Sequence, residues 1–273
     1  MCRVRILIVL SLFFAALLPV SADEQPIRFG SVAEDIPAVM HKRLTPLTDY
    51  LTKAIGRRVV LSLSPDMTAA IAAVAKNDVD LAYLTPVAYL RAHEAGNAKL
   101  IVKVIVNHMA HFRLQIVVRD DSSIQQVSDL AGKSFAFGDP VAIMQKAVLV
   151  NAGMQLDKLA KRSYLGHYDN VVRSVLNRDY DAAVLPDSKV RKWEKQGLRV
   201  IYSSPQLPTF NISASSKLDP TVFLKLQTAL INLNENNPEH RRVLESLEGD
   251  INGFSSTTDA EYDLTRKIIK PFR

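Results

Sequence analysis

Cysteine is nearly absent from this chain: one residue in 273, Cys2, at the very N-terminus. Beyond that position the protein can form no disulfide, no zinc–thiolate site and no cysteine nucleophile. Glycine is also sparse, at ten residues, and no glycine-rich phosphate loop forms. Gly132-Lys133-Ser134 has the ending of a P-loop. The earlier glycine which that motif requires is Val127, however, and the segment after Ser134 reads as a strand rather than a helix. No G-x-S-x-G nucleophile elbow occurs. His108 and His111 are spaced to hold a metal on a helix, yet no carboxylate or cysteine joins them, so they read as surface or hinge histidines. The net charge of +6 is spread along the chain without a Lys/Arg cluster interleaved with aromatics, which argues against nucleic acid. No long apolar run follows residue 20, so a membrane-spanning helix in the body of the protein is excluded.

One apolar run does exist, and its position is informative. Arg3 and Arg5 precede the stretch Ile6 to Val20, and Val20-Ser21-Ala22 supplies small residues where a signal peptidase cuts. The run is about 15 residues, short of the roughly 20 needed to span hydrocarbon, and Pro19 interrupts it. Cys2 lies ahead of the run, whereas a lipid-attachment cysteine would follow it. The expectation is an exported, periplasmic protein cleaved after Ala22, with Asp23 as its new N-terminus. Cleavage would remove Arg3 and Arg5 and lower the net charge from +6 to +4.

The rest of the chain alternates short β-branched runs with amphipathic helices, the pattern of a parallel sheet with crossover helices. Strands are expected at Ile27–Gly30, Val59–Leu63, Leu81–Leu84, Ile101–Val106, Leu114–Val118, Ser134–Phe137, Arg162–Leu165, Ala182–Leu185, Arg199–Tyr202 and Asn211–Ala214. Helices are expected at Val39–Ile55, Thr68–Ala75, Val87–Ala95, Val141–Ala152, Tyr168–Leu176 and Ser188–Lys195. From Pro220 onward the pattern turns purely helical. An α/β, α/β, then helical order suits two α/β lobes joined by two crossing strands, near Val106–Phe112 and Tyr202–Phe210, with the C-terminal helices returning to the first lobe. The expected division is residues 1–22 as signal peptide, 23–106 and 208–273 as the first lobe, and 107–207 as the second.

Two segments end a strand and open a helix: Phe137-Gly138-Asp139-Pro140 and Gly166-His167-Tyr168-Asp169. Such turns present free backbone N–H groups and the positive end of a helix dipole, which suit an anionic group. Ligands of open α/β sheets sit at strand carboxyl ends, so both turns point toward one cleft. Asp139 and Asp169 could equally be helix caps.

The stretches IRFGSVAED, LTPLTDYLTKAIG, KNDVDLAYLTPVAYLRAHEAG, SIQQVSDLAGKSFAFGDP, YLGHYDNVVRSVLNRDYDAAVL and GLRVIYSSPQLP, in that order, resemble the phosphate/phosphite/phosphonate-type substrate-binding proteins of ABC importers. These have the type II periplasmic binding protein fold. The resemblance implies a two-lobed α/β receptor without cofactor or metal. It would close on a small molecule and present it to an ABC permease. It also implies a ligand site, and there this chain departs from the family. The Ser/Thr-rich stretch that follows the Asp-Pro turn in phosphonate-binding members is here Ala142, Ile143 and Met144. The family's ligand-touching tyrosines fall on Met67 and near Leu84, and its amine-binding acid on Phe210. Only His167 matches the binding histidine. By this alignment and their positions at strand ends, Thr85, Asp139, Val141, Ala142, Ile143 and His167 are expected to face the cleft, with Met67, Tyr83 and Phe210 near them.

Each buried polar group left unmet costs about 1–3 kcal/mol. Three lost hydroxyls therefore point to a ligand less charged and more apolar than a phosphonate, unless backbone N–H groups compensate. The leading expectation is a monomeric periplasmic receptor serving an importer. The alternative is a ligand-sensing or accessory protein for a membrane partner such as a sensor kinase. An exported hydrolase using His167 and Asp169 is the weakest reading, because no nucleophile stands beside them.

Overall fold

The computed structural model describes residues 25–32, 37–138, 143–247 and 250–272. The segment expected to be a signal peptide therefore lies outside the described residues, as do Asp139, Val141 and Ala142. In chain order the elements are β1 (Ile27–Ser31), α1 (Pro37–Ile55), β2 (Val59–Leu61), α2 (Met67–Ala75), β3 (Leu81–Leu84), α3 (Pro86–Gly96) and β4 (Lys99–Val106). There follow β5 (His111–Phe112), β6 (Leu114–Arg119), β7 (Ser134–Phe137), α4 (Ile143–Asn151), β8 (Lys161–Tyr164), α5 (Tyr168–Leu176), β9 (Ala182–Pro186), α6 (Asp187–Trp193) and β10 (Leu198–Ser203). The chain closes with β11 (Leu207–Pro208), β12 (Asn211–Ala214), α7 (Pro220–Asn232), α8 (Pro238–Leu247), β13 (Ile251–Ser255) and α9 (Asp263–Ile269).

The helices start where short polar side chains meet proline or an apolar stripe. Thr85 caps α3 by accepting from the Ala88 N–H at 3.1 Å, with Pro86 at the first helical position. Asp219 and Pro220 do the same for α7. Along α1 the stripe Met40, Leu44, Leu47, Leu51 is buried, the 3.6-residue period of a helix lying on a sheet.

Two mixed sheets result. The first has the order β13-β4-β12-β3-β1-β2 and the second β10-β6-β9-β7-β8. The central pairs β1–β3, β1–β2, β7–β8 and β7–β9 are parallel, whereas β12, β13, β6 and β10 pair antiparallel. The sheets are thus less uniformly parallel than the alternating strand–helix pattern suggests, because β4, β12, β6 and β10 belong to the connections between the sheets. The tail also differs from the purely helical expectation: β13 pairs with β4 at the sheet edge. The short run Ile251-Asn252-Gly253-Phe254 carries little periodicity, and Gly253 sits at a register break.

Two segments join the sheets, one between β4 and β6 and one between β10 and β12. Within them β5 and β11 pair antiparallel, Leu207 with Phe112 and Pro208 with His111, forming a separate two-stranded ribbon. His111 is part of that ribbon and its Nε2 lies 2.7 Å from the Gln206 side-chain nitrogen. His108 sits in the tight turn before it with φ at +61°. Neither belongs to a metal-ligating cluster among the described residues. Helices α7 and α8 pack on α1 at the first sheet, whereas α9 lies across to α4 at the second. No helix among the described residues is long and apolar enough to cross a membrane.

Candidate ligand cleft

Strand register fixes where the strand ends of the two sheets lie. On the first sheet Asn211, at the start of β12, lies opposite Leu84, at the end of β3. On the second sheet Leu114, at the start of β6, lies opposite Pro186, at the end of β9, and Ser203 ends β10 opposite Gln115. Both joining segments therefore run from the carboxyl edge of one set of parallel strands to the carboxyl edge of the other. The two carboxyl edges share the connected side of the molecule, which is where open α/β sheets take ligands.

The first sheet supplies an aromatic floor. Tyr83, near the end of β3, is 5 % exposed, and its ring stacks on Phe210 with centroids 5.2 Å apart and planes at 24°. Phe210 itself is half-buried, just ahead of β12. The end of β1 is tied to the same place, because the Val32 N–H donates to the Tyr83 carbonyl at 3.1 Å. Thr85, half-buried, spends one lone pair on capping α3. Met67 is the first residue of α2, whose cap is Asp66, and it packs half-buried against the core between α2 and α3.

The second sheet supplies two helix starts held side by side. The Leu165 N–H donates to the Phe137 carbonyl and the Gly166 N–H to the Gly138 carbonyl, each at 3.0 Å, so the end of β7 is stitched to the β8–α5 turn. Gly166 has φ at +75°, a left-handed conformation that suits glycine. Gly138 is closely hemmed: a Cβ there would come within 3.0 Å of the Gln145 amide nitrogen and 3.3 Å of the Gly166 carbonyl. Gln145, 3 % exposed, binds both turns. Its Oε1 accepts from the Gly138 N–H at 2.8 Å and its Nε2 donates to the Tyr168 hydroxyl at 3.0 Å.

The side chains expected at the site in this half divide cleanly. His167 stands at the cap position of α5, exposed, and its side chain makes no capping bond. Asp169 is exposed in the first turn of α5. Ile143 opens α4 half-buried with Met144 beside it, both packed against the core. The structure thus brings Tyr83 and Phe210 together on one edge, and places Ile143 at the start of α4 and His167 at the start of α5 on the other. Sequence reasoning named Tyr168 within its turn but did not single out Gln145. The sequence context of Gln145, with Lys146 next to it in the stretch from Ile143 to Val150, gives no local sign that it is buried.

Two sheets joined by paired connections at their strand carboxyl ends are the type II periplasmic binding protein fold. The model of the family described as "ABC transporter, phosphonate, periplasmic substrate-binding protein" matches residues 29–262, and the chain belongs to that family. Its curated relatives include the phosphonates-binding periplasmic protein of Escherichia coli K12. That protein is 24 % identical over 249 residues, covering 85 % of this chain and 73 % of the relative. Another is the phosphate-import protein PhnD of Mycolicibacterium smegmatis, 26 % identical over 253 residues, covering 82 % and 78 %. Among solved structures, PhnD1 of Prochlorococcus marinus in complex with methylphosphonate superposes with a TM-score of 0.73 at 17 % identity, covering 90 % of this chain and 97 % of that one. XAC2383 of Xanthomonas citri bound to ATP superposes at 0.75 and 18 % identity, covering 89 % and 95 %. The chain is accordingly a periplasmic substrate-binding component of an ABC importer. The sensing alternative gains nothing from these relatives, which are binding and import proteins.

Proposed function

We propose that this receptor captures a small organic oxyanion bearing an apolar substituent, of the phosphonate class, in preference to inorganic phosphate. The observation that carries the reading is the contrast between the two edges of the cleft. The second sheet offers paired helix starts and the unengaged His167 ring, suited to oxyanion oxygens. The first offers the Tyr83–Phe210 stack with Met67 and Thr85. Ile143 and Met144, where phosphonate-binding members carry hydroxyls, favour an apolar substituent and leave the charge to backbone N–H groups. In this reading the ligand-contacting set is His167, Asp139, Val141, Ala142, Ile143, Thr85, Met67, Tyr83 and Phe210.

The same reading takes residues 23–106 with 208–273 as one lobe and 107–207 as the other, hinged at the β5–β11 ribbon. It takes the chain as a monomer that delivers its ligand to a permease without chemical turnover, after cleavage behind Ala22. Support for these points comes from the family, the ribbon and the signal-like N-terminus. Calorimetry on the mature chain tests the ligand assignment by comparing phosphate, methylphosphonate and longer alkylphosphonates. Affinity should rise with the substituent. Equal or tighter binding of inorganic phosphate would overturn it.

A further inference from the structure

The two joining segments are not the only link between the sheets. The C-terminal stretch after β13 crosses between them, and its two ends are held in different ways. Its beginning is fastened to the first sheet by specific polar bonds and a buried ring. Tyr262 is fully buried, edge-on to Tyr89 of α3 with centroids 4.9 Å apart. The Tyr89 hydroxyl donates to Asp259 Oδ1 at 2.5 Å, Arg266 bonds the same carboxylate, and Glu261 pairs with Lys103 of β4. The far end meets the second sheet chiefly through apolar surface. Ile268 and Ile269 are buried in the core that also holds Ala147 and Val148 of α4. One hydrogen bond accompanies that contact: the exposed Asn151, last residue of α4, donates from Nδ2 to the Ile268 carbonyl at 3.0 Å. The family match ends at Tyr262, so α9 lies just beyond it.

We propose that α9 is a strap that holds the two lobes in the relative orientation seen here, and that it slips along α4 when they rotate. Apolar faces slide with little directional preference, whereas a hydrogen bond is lost within a fraction of an ångström to an ångström of movement. The lobe-1 end therefore stays fixed and the α4 contact yields, with the Asn151 bond as its detent. Because α4 begins at the ligand-facing turn, slippage moves that turn relative to the Tyr83–Phe210 edge. This inference rests on the reading of the two sheets as hinged lobes.

The test uses the mature chain, which has no cysteine, so that labels can be placed at will. Thr68→Cys and Asp169→Cys are exposed positions on the two sides of the cleft, and spin labels there report the inter-lobe distance. Asn151→Ala also removes the bond from Nδ2 to the Ala147 carbonyl of α4 itself, at 2.8 Å, which is present in either arrangement and cancels in their ratio. Adding it should therefore shift the ratio of the two distance populations by about fivefold away from the present arrangement, the effect of the one net inter-element hydrogen bond. Tyr89→Phe serves as control: it should lower the melting temperature and leave the distances unchanged. A distance distribution unmoved by Asn151→Ala, or moved equally by Tyr89→Phe, would overturn the strap. Ligand affinity of the unlabelled wild type, measured separately by calorimetry, tells whether the receptor reading fails as well.

Discussion

Replacing Gln145 by Leu should loosen the joined ends of β7 and β8 in the second sheet at a cost that can be worked out bond by bond. Gln145 is 3 % exposed, and its amide satisfies the buried Gly138 N–H at 2.8 Å and meets the Tyr168 hydroxyl at 3.0 Å. Leucine is close to glutamine in volume, so no large cavity opens and the cost is mainly polar. The Gly138 N–H, buried with its turn, loses its acceptor, at about 1–3 kcal/mol. The Tyr168 hydroxyl is half-buried and water can replace the lost donor, so its share is small. The sum is about 2 kcal/mol, which for a chain of this size lowers the melting temperature by roughly 4–8 °C. Gln145→Glu keeps an acceptor for the Gly138 N–H and should recover part of the loss. Thermal unfolding of the three proteins at pH 7 is the assay. A Gln145→Leu protein melting within a degree of wild type would refute the idea that this amide holds the two turns.

Three other predictions follow from particular contacts. His167→Ala should weaken the true ligand by about 1–3 kcal/mol in calorimetry while leaving the melting temperature of the free protein unchanged, because the ring is exposed and makes no capping bond. Asp181 ties β9 to β7: burial works to raise its carboxyl, and the Ser134 N–H at 2.9 Å and Ser134 hydroxyl at 2.7 Å outweigh this and hold it below the usual range. A lowered folded value stabilises above the unfolded pKa of about 3.9 and the contribution is lost as pH falls through the folded value. Asp181→Asn should therefore destabilise at pH 7 and differ less from wild type below about pH 3, as urea titrations at the two pH values would show. Finally, the chain expressed with its first 22 residues should be recovered from the periplasm with Asp23 at its N-terminus, and N-terminal sequencing that finds Met1 in a membrane fraction would contradict this.

How far the sequence could be read depended on how local each determinant was. Leu81–Leu84, Ser134–Phe137, Tyr168–Leu176 and Asn211–Ala214 fall where the structure has them, because each is a short buried run or an amphipathic stripe bounded by turn residues. The ribbon of His111–Phe112 with Leu207–Pro208 was not foreseen as paired: two-residue strands exist only because distant segments meet, and no local period marks them. The strand Ile251–Ser255 was missed for the same reason, its pairing with Val104 and Lys103 being decided across the fold. The positions of His167, Tyr83 and Phe210 at or beside strand ends were legible from the alternation of strands and helices. The stack between Tyr83 and Phe210, and the amide of Gln145 that joins two turns, depend on side-chain approach across elements and appear only in three dimensions.

The claim at the centre of this account is that the cleft prefers an oxyanion with an apolar substituent. Titration calorimetry of the mature receptor against phosphate, methylphosphonate and a series of longer alkylphosphonates tests it most directly. The account predicts weak or undetectable binding of phosphate and methylphosphonate, and affinity that strengthens with each added methylene by up to about 0.8 kcal/mol. Submicromolar binding of phosphate or methylphosphonate, with no gain from a longer chain, would contradict it.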